Sequence, residues 1–125
     1  MAQKENNIIP MIFDEAFYRK MATQKWRQQD YKKAAEYYEK VLELSPKDFD
    51  IQQHYAQCLV KLNIGKKAER LFYENIVKDF HVAESLYELS QLNIELNEPN
   101  KAFLFGINYV ILSEVKDFRE MLEKT

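Results

Sequence analysis

Small and large residues recur in phase every 34 positions along this chain. Ala34, Ala68 and Ala102 stand at that interval. Ala22, Ala56 and Ser90 repeat a small residue, and Met21, Tyr55 and Leu89 repeat a bulky one just before it. Tyr38 is matched by Phe72. Such a period marks one supersecondary unit per repeat, which buries its apolar stripe only by stacking on a neighbour. Within the period the spacing is helical. From Asp30 to Pro46, residues Tyr31, Ala34, Ala35, Tyr38, Val41, Leu42 and Leu44 fall at spacings of three and four and form one stripe, with charged residues on the other face. Ala34 and Ala35 leave room for a second helix. Ser45-Pro46 ends the segment, because proline drives the residue before it out of the α region. The expectation is an all-α array of helix–turn–helix repeats.

Tyr31, Ala34, Tyr38, Val41 and Pro46 together carry a more specific pattern: a turn Tyr, a small residue, an aromatic four later, an apolar residue, then Pro. In this the chain resembles the tetratricopeptide repeat (TPR) family. The resemblance covers about residues 15–116. The second repeat keeps Gly65, Ala68 and Phe72. The third departs: Pro99 takes the turn, Gly106 the aromatic position and Glu114 the proline position. The resemblance implies three TPR-like repeats, about 15–48, 49–82 and 83–116, in a right-handed superhelical stack with a C-terminal capping helix at about 115–124. Residues 1–13 read as a loosely ordered segment, with Met11 to Phe13 folding back on the first helix, and 14–125 as the domain.

Helices are predicted at about 15–28, 31–44, 49–62, 66–78, 82–96 and 100–113. Asp14 and Asp48 suit N-caps. Asn63-Ile64-Gly65 reads as a turn in which Gly65 takes positive φ. Pro99 is tolerated in a first helical turn.

Composition narrows the function. Two glycines and three prolines are too few for an all-β fold with many tight turns. A net charge of −2 gives no general attraction to nucleic acid or to an anionic membrane. One cysteine, Cys58, excludes a disulfide framework within the chain and fits a cytoplasmic setting. The most apolar run, Ala102 to Leu112, is too short to span a bilayer. His54 and His81 have no neighbouring cysteine, zinc-ligand spacing is absent, and neither a GxxxxGK[ST] nor a GxGxxG loop occurs. The serines lack a nucleophile-elbow context. Neither enzymatic activity, nor a cofactor, nor a metal is expected.

What the resemblance implies is a binding groove lined by the first helix of each repeat. Its positions map to Ala16, Arg19, Lys20, Thr23, Trp26 and Arg27 in the first repeat. In the second they map to Asp50, Gln53, His54, Gln57, Val60 and Lys61, and in the third to Glu84, Tyr87, Glu88, Gln91, Ile94 and Glu95. Net charge runs +2, +1 and −3 over the three repeats. The groove is then basic at Arg19, Lys20 and Arg27 and acidic at Glu84, Glu88 and Glu95, and fits a peptide of opposite polarity. Trp26 and Tyr87 are aromatic anchors of the kind enriched at hot spots. A carboxylate clamp of the cochaperone kind is disfavoured. Its positions are Arg19, Thr23, His54, Glu84 and Glu88, and the two carboxylates repel a chain terminus.

Function therefore reads as a non-enzymatic scaffold or adaptor holding a protein or peptide partner. The alternatives are a small TPR chaperone of a secretion system, or a module that self-associates as a homodimer. The homodimer reading rests on residues 102–112, apolar almost all round. Such a helix is normally buried on more than one side. The simplest cover for it is the 115–124 capping helix. Gly106 there implies a close approach by a neighbour.

Overall fold

A computed structural model of the chain describes residues 14–124. Met11 to Phe13 and the rest of the first segment lie outside them. Six helices occur among the described residues: α1 Glu15–Arg27, α2 Tyr31–Leu44, α3 Phe49–Lys61, α4 Gly65–Val77, α5 Val82–Glu95 and α6 Pro99–Glu123. The fold is all-α, with helix pairs repeating at 34 residues. The chain divides between Ile64 and Gly65 into two compact units, the first holding α1 to α3 and the second α4 to α6.

Local chemistry sets the starts of the helices in the first unit. Asp14, Asp30 and Asp48 each accept a hydrogen bond from the backbone N–H three residues on, Phe17, Lys33 and Ile51, at 3.0, 3.2 and 3.1 Å. This satisfies donors that a helix N-terminus leaves open. The turns inside the repeats share one backbone solution. Gln29, Asn63 and Asn97 adopt left-handed φ of 60°, 62° and 59°, and they are 34 residues apart. In each, the next residue's N–H reaches back five: Asp30 to Lys25 O, Ile64 to Leu59 O and Glu98 to Asn93 O, at 2.9, 2.8 and 2.8 Å. That is the hydrogen bond of a Schellman cap.

Gly65 is not the left-handed residue. It is the first residue of α4 and its φ is not positive. Its missing Cβ serves packing instead, since a Cβ there would lie 3.0 Å from Leu92 Cδ1 of α5. Asn63 makes the turn, because its short polar side chain tolerates the left-handed region.

In the first unit α2 packs between α1 and α3. Ala22, Ala34, Ala35, Tyr38, Val41, Tyr55 and Ala56 are buried, as the 34-residue register requires. Tyr38 stacks on His54 of α3 at 5.9 Å, and Tyr55 Oη donates to Glu39 Oε2 of α2 at 2.7 Å. In the second unit α5 packs against both α4 and α6. Phe72, Leu89 and Leu92 fill its core. Gly106 admits the close approach expected of it: a Cβ there would meet Ser90 Oγ at 3.2 Å, and that hydroxyl donates to Ala102 O at 3.1 Å.

The capping helix is corrected. Residues 115–124 do not fold back; α6 runs unbroken for 25 residues, about 37 Å at the helical rise. Two features explain it. Ser113-Glu114 stands in register with Ser45-Pro46 and lacks its proline, which permits the helix to continue without forcing it, since α4 ends at Val77 with Asp79-Phe80 at that register. A helix folded back in register would also put Arg119, Glu123 and Lys124 where α3 buries Ile51, Tyr55 and Ala56. Burying those charges without partners is prohibitive.

Candidate functional site

The expected groove residues fall on the first helices of the pairs, and α1 and α5 agree at three of the six matched positions, Ala16/Glu84, Thr23/Gln91 and Arg27/Glu95, all exposed. On α1, Ala16, Lys20, Thr23 and Arg27 are exposed in one row. On α5, the matching Glu84, Gln91 and Glu95 are exposed, as is Tyr87 at 47%. Steps of three and four keep each row on one helix face. Glu88 is half-buried and Ile94 exposed.

Arg19 is otherwise engaged. Its guanidinium pairs with Glu15 at 3.4 Å and hydrogen-bonds the Asp48 carboxylate. The Asp48 hydrogen bond raises the guanidinium pKa against the opposing effect of burial. Burial alone would push Asp48 up, yet the Arg19 and Ile51 hydrogen bonds hold its carboxyl below the usual range. Asp48 thus caps α3 with Oδ1 and holds Arg19 with Oδ2.

Trp26 and Lys61 meet on a residue outside the expected set. Tyr31 takes the Trp26 ring edge-on at 5.1 Å, and Lys61 Nζ sits 5.9 Å from its centroid, a cation–π distance. On α3 the structure departs from the expectation of a lining row. Gln53 is buried, Gln57 is half-buried, and exposed His54 is stacked on Tyr38. On α5, Tyr87 packs against Tyr109 of α6 at 5.5 Å, and Glu84 lies 2.8 Å from His81 Nδ1. The partners missed by sequence are Glu15, Tyr31, Asp48 and Tyr109. Of these, Glu15 was legible as an i,i+4 partner of Arg19.

Cys58 is fully buried, and burial pushes its thiol up to about 12, so it is not poised as a nucleophile. Among the described residues no three His, Cys, Asp or Glu gather as a metal site. No described helix is long and apolar enough to cross a membrane.

These helix pairs, with their 34-residue register of turn, small residue and aromatic, match a known repeat. The tetratricopeptide repeat family model matches residues 25–72. Residues 25–72 therefore carry the tetratricopeptide repeat pattern. Among solved structures, MamA protein matches with a TM-score of 0.71 at 21% identity over 81% of the present chain. This chain spans 55% of that protein. At such identity the likeness is one of fold. No curated protein matches the sequence.

The second unit carries a different surface. α6 exposes ten large apolar side chains, among them Phe103, Ile107, Val110, Ile111 and Phe118. Beside it runs an apolar groove of about 610 Å³ between α5 and α6, lined by Ile94, Phe103, Gly106, Ile107 and Val110. A second, of about 400 Å³, is lined by Ile76, Leu86, Asn108 and Leu112.

Proposed function

We propose that the chain is a non-enzymatic protein-binding module whose first helices, α1 and α5, hold a peptide or helix of a partner. One observation carries the reading: both helices present register-matched positions to solvent, Ala16, Thr23 and Arg27 on one and Glu84, Gln91 and Glu95 on the other, with Lys20 and Tyr87 exposed beside them. Each row selects a ligand of the complementary charge, basic on α1 and acidic on α5, which is the kind of specificity that electrostatic complementarity supplies best. Tyr87 is the aromatic anchor on α5. Trp26, held against Tyr31, is the rigid one on α1. Arg19 contributes to folding rather than to capture, because Glu15 and Asp48 already engage it. The single cysteine and near-neutral charge support a cytoplasmic setting and a protein ligand over a nucleic acid.

The test is charge reversal away from Arg19. Lys20→Glu with Arg27→Glu changes two exposed residues and leaves the fold intact by circular dichroism. Partner capture by the immobilised chain, quantified by mass spectrometry, is expected to fall by about tenfold or more. Undiminished capture overturns the reading.

A further inference from the structure

The first turn of α2 carries Lys32 and Lys33 and no acidic residue. A helix N-terminus bears partial positive charge, so stability alone favours acids there and opposes cations. Local pairing does not offset this. Glu36 follows the lysines by four and three residues, the poorer order for such a pair, and among the described residues neither lysine has an ion-pair partner. Asp30 is occupied as the cap, where its Oδ1 accepts the Lys33 N–H at 3.2 Å.

Packing brings a third cation to the same place. Lys61, the last residue of α3, holds its Nζ 5.9 Å from the ring centroid of Tyr31, the first residue of α2, and Trp26 packs on that ring at 5.1 Å. The aromatic ring supports the lysine stem, and exposed Lys61 has no carboxylate partner among the described residues. Exposed Arg27, next to Trp26, has none either. The second unit lacks this arrangement. There α4 also opens on two lysines, but Gly65 stands for Tyr31 and Glu95 for Lys61.

Cations gathered around an aromatic pair call for an anionic ligand, and the geometry favours one kind. Lys61 lies over Tyr31 and Trp26 flanks it, so Tyr31 offers no free platform for a base, the contact on which single-stranded nucleic acid relies. Among its described residues the first unit exposes Leu44 and Ile64 as large apolar side chains, too little to enter a membrane interface. Carboxylates require neither feature. We infer, on the reading that the first unit holds a protein ligand, that its turn end at Lys32, Lys33 and Lys61 docks an acidic segment of the partner. Lys61, steadied by Tyr31, takes one carboxylate, and the α2 lysines take those that follow.

The probe is a labelled peptide of glutamates spaced by alanine, with a glutamine-for-glutamate control, titrated against the full chain by fluorescence anisotropy at about 0.15 M salt. The acidic peptide is expected to bind, and the control at least tenfold more weakly. Lys32→Glu with Lys33→Glu is expected to weaken binding tenfold or more, and Lys61→Met severalfold. The first pair puts acids where the helix terminus favours them, so the thermal midpoint should hold or rise and lost binding cannot come from unfolding. Lys40→Glu with Lys47→Glu makes the same charge change on exposed residues toward and beyond the far end of α2 and should leave affinity within about twofold. No binding, equal loss from the two lysine pairs, or a labelled oligonucleotide or phosphatidylserine vesicle bound more tightly than the acidic peptide overturns the inference. Partner capture lost in Lys20→Glu with Arg27→Glu, while the peptide ignores Lys32, Lys33 and Lys61, overturns it and leaves the reading of α1 standing. Undiminished capture together with peptide binding that the Lys32 and Lys33 exchange abolishes supports it and overturns the reading of α1 alone.

Discussion

At the end of α2 the chain meets Ser45-Pro46 and turns back to lay α3 on the helix it has just left. At the same register in α6 it meets Ser113-Glu114 and goes straight on. Both helices follow the same type of left-handed turn, and both carry the repeat's small residue, Ala34 or Ala102, in buried surroundings. They differ in what covers them. Tyr38, 4% exposed, is held by His54, whereas α6 keeps its outer face bare and every residue from Glu114 to Lys124 is exposed. A repeat register therefore specifies where a neighbour docks without guaranteeing that the chain supplies one. The side chains that follow decide that, since α4 ends at Val77 with no proline and the chain still turns back to lay α5 on it.

This contrast can be broken experimentally. The largest effect is expected in the covered helix. Tyr38→Ala empties a buried, stacked site and is expected to cost about 3–5 kcal/mol. Its register mate Gly106→Ala should stay within about 1 kcal/mol of neutral, as better helix propensity is offset against the contact with Ser90 Oγ. Urea denaturation measures both, and equal losses would erase the distinction between the two helices.

Next comes the hinge between α2 and α3. Asp48→Ala removes a cap and the partner of Arg19, at about 1–2 kcal/mol. The sign of the pH effect follows from the lowered Asp48 pKa. The folded carboxyl stays charged where the unfolded one takes up a proton, so its contribution is full above the ordinary value of 3.8. It fades as pH falls through the lower folded value. Wild type should lose this increment in acid and Asp48→Ala should not, so their denaturation midpoints converge there.

Glu114→Pro restores the missing breaker. It should remove helical signal beyond Leu112 by circular dichroism while moving global stability by less than about 1 kcal/mol, because that segment is exposed throughout. A large loss would mean the extension is integral to the second unit. The smallest change tests the shared turn: Gln29→Gly should stabilise by about 0.5–1 kcal/mol, since Gly takes φ of 60° without strain. Asn63→Gly should gain less, as Asn already tolerates that backbone.

Much of this was written in the order of residues. The register of Ala34, Ala68 and Ala102 placed six helix cores, and Asp14 and Asp48 marked two starts to the residue. The turn was misassigned to Gly65, because Gly is permissive wherever it stands; only the recurrence of Gln29, Asn63 and Asn97 reveals the left-handed position, and Gln carries no turn signal of its own. The break expected near 115 rested on the alternation of apolar residues, which continues regardless of whether a helix bends. The resemblance places Arg19 as a groove cation, while its partner Asp48 lies 29 residues away, beyond what helical spacing reveals. The positions on α1 and α5 came from the family resemblance, and most of them are exposed.

The two oxygens of Asp48 have a consequence for modularity. One opens the second repeat by capping α3, and the other fastens α1 of the first. A cut at the repeat boundary, between Lys47 and Asp48, would strip Arg19 of that carboxylate and leave α3 uncapped. The sequence thus repeats at 34 residues, whereas the compact unit is three helices long.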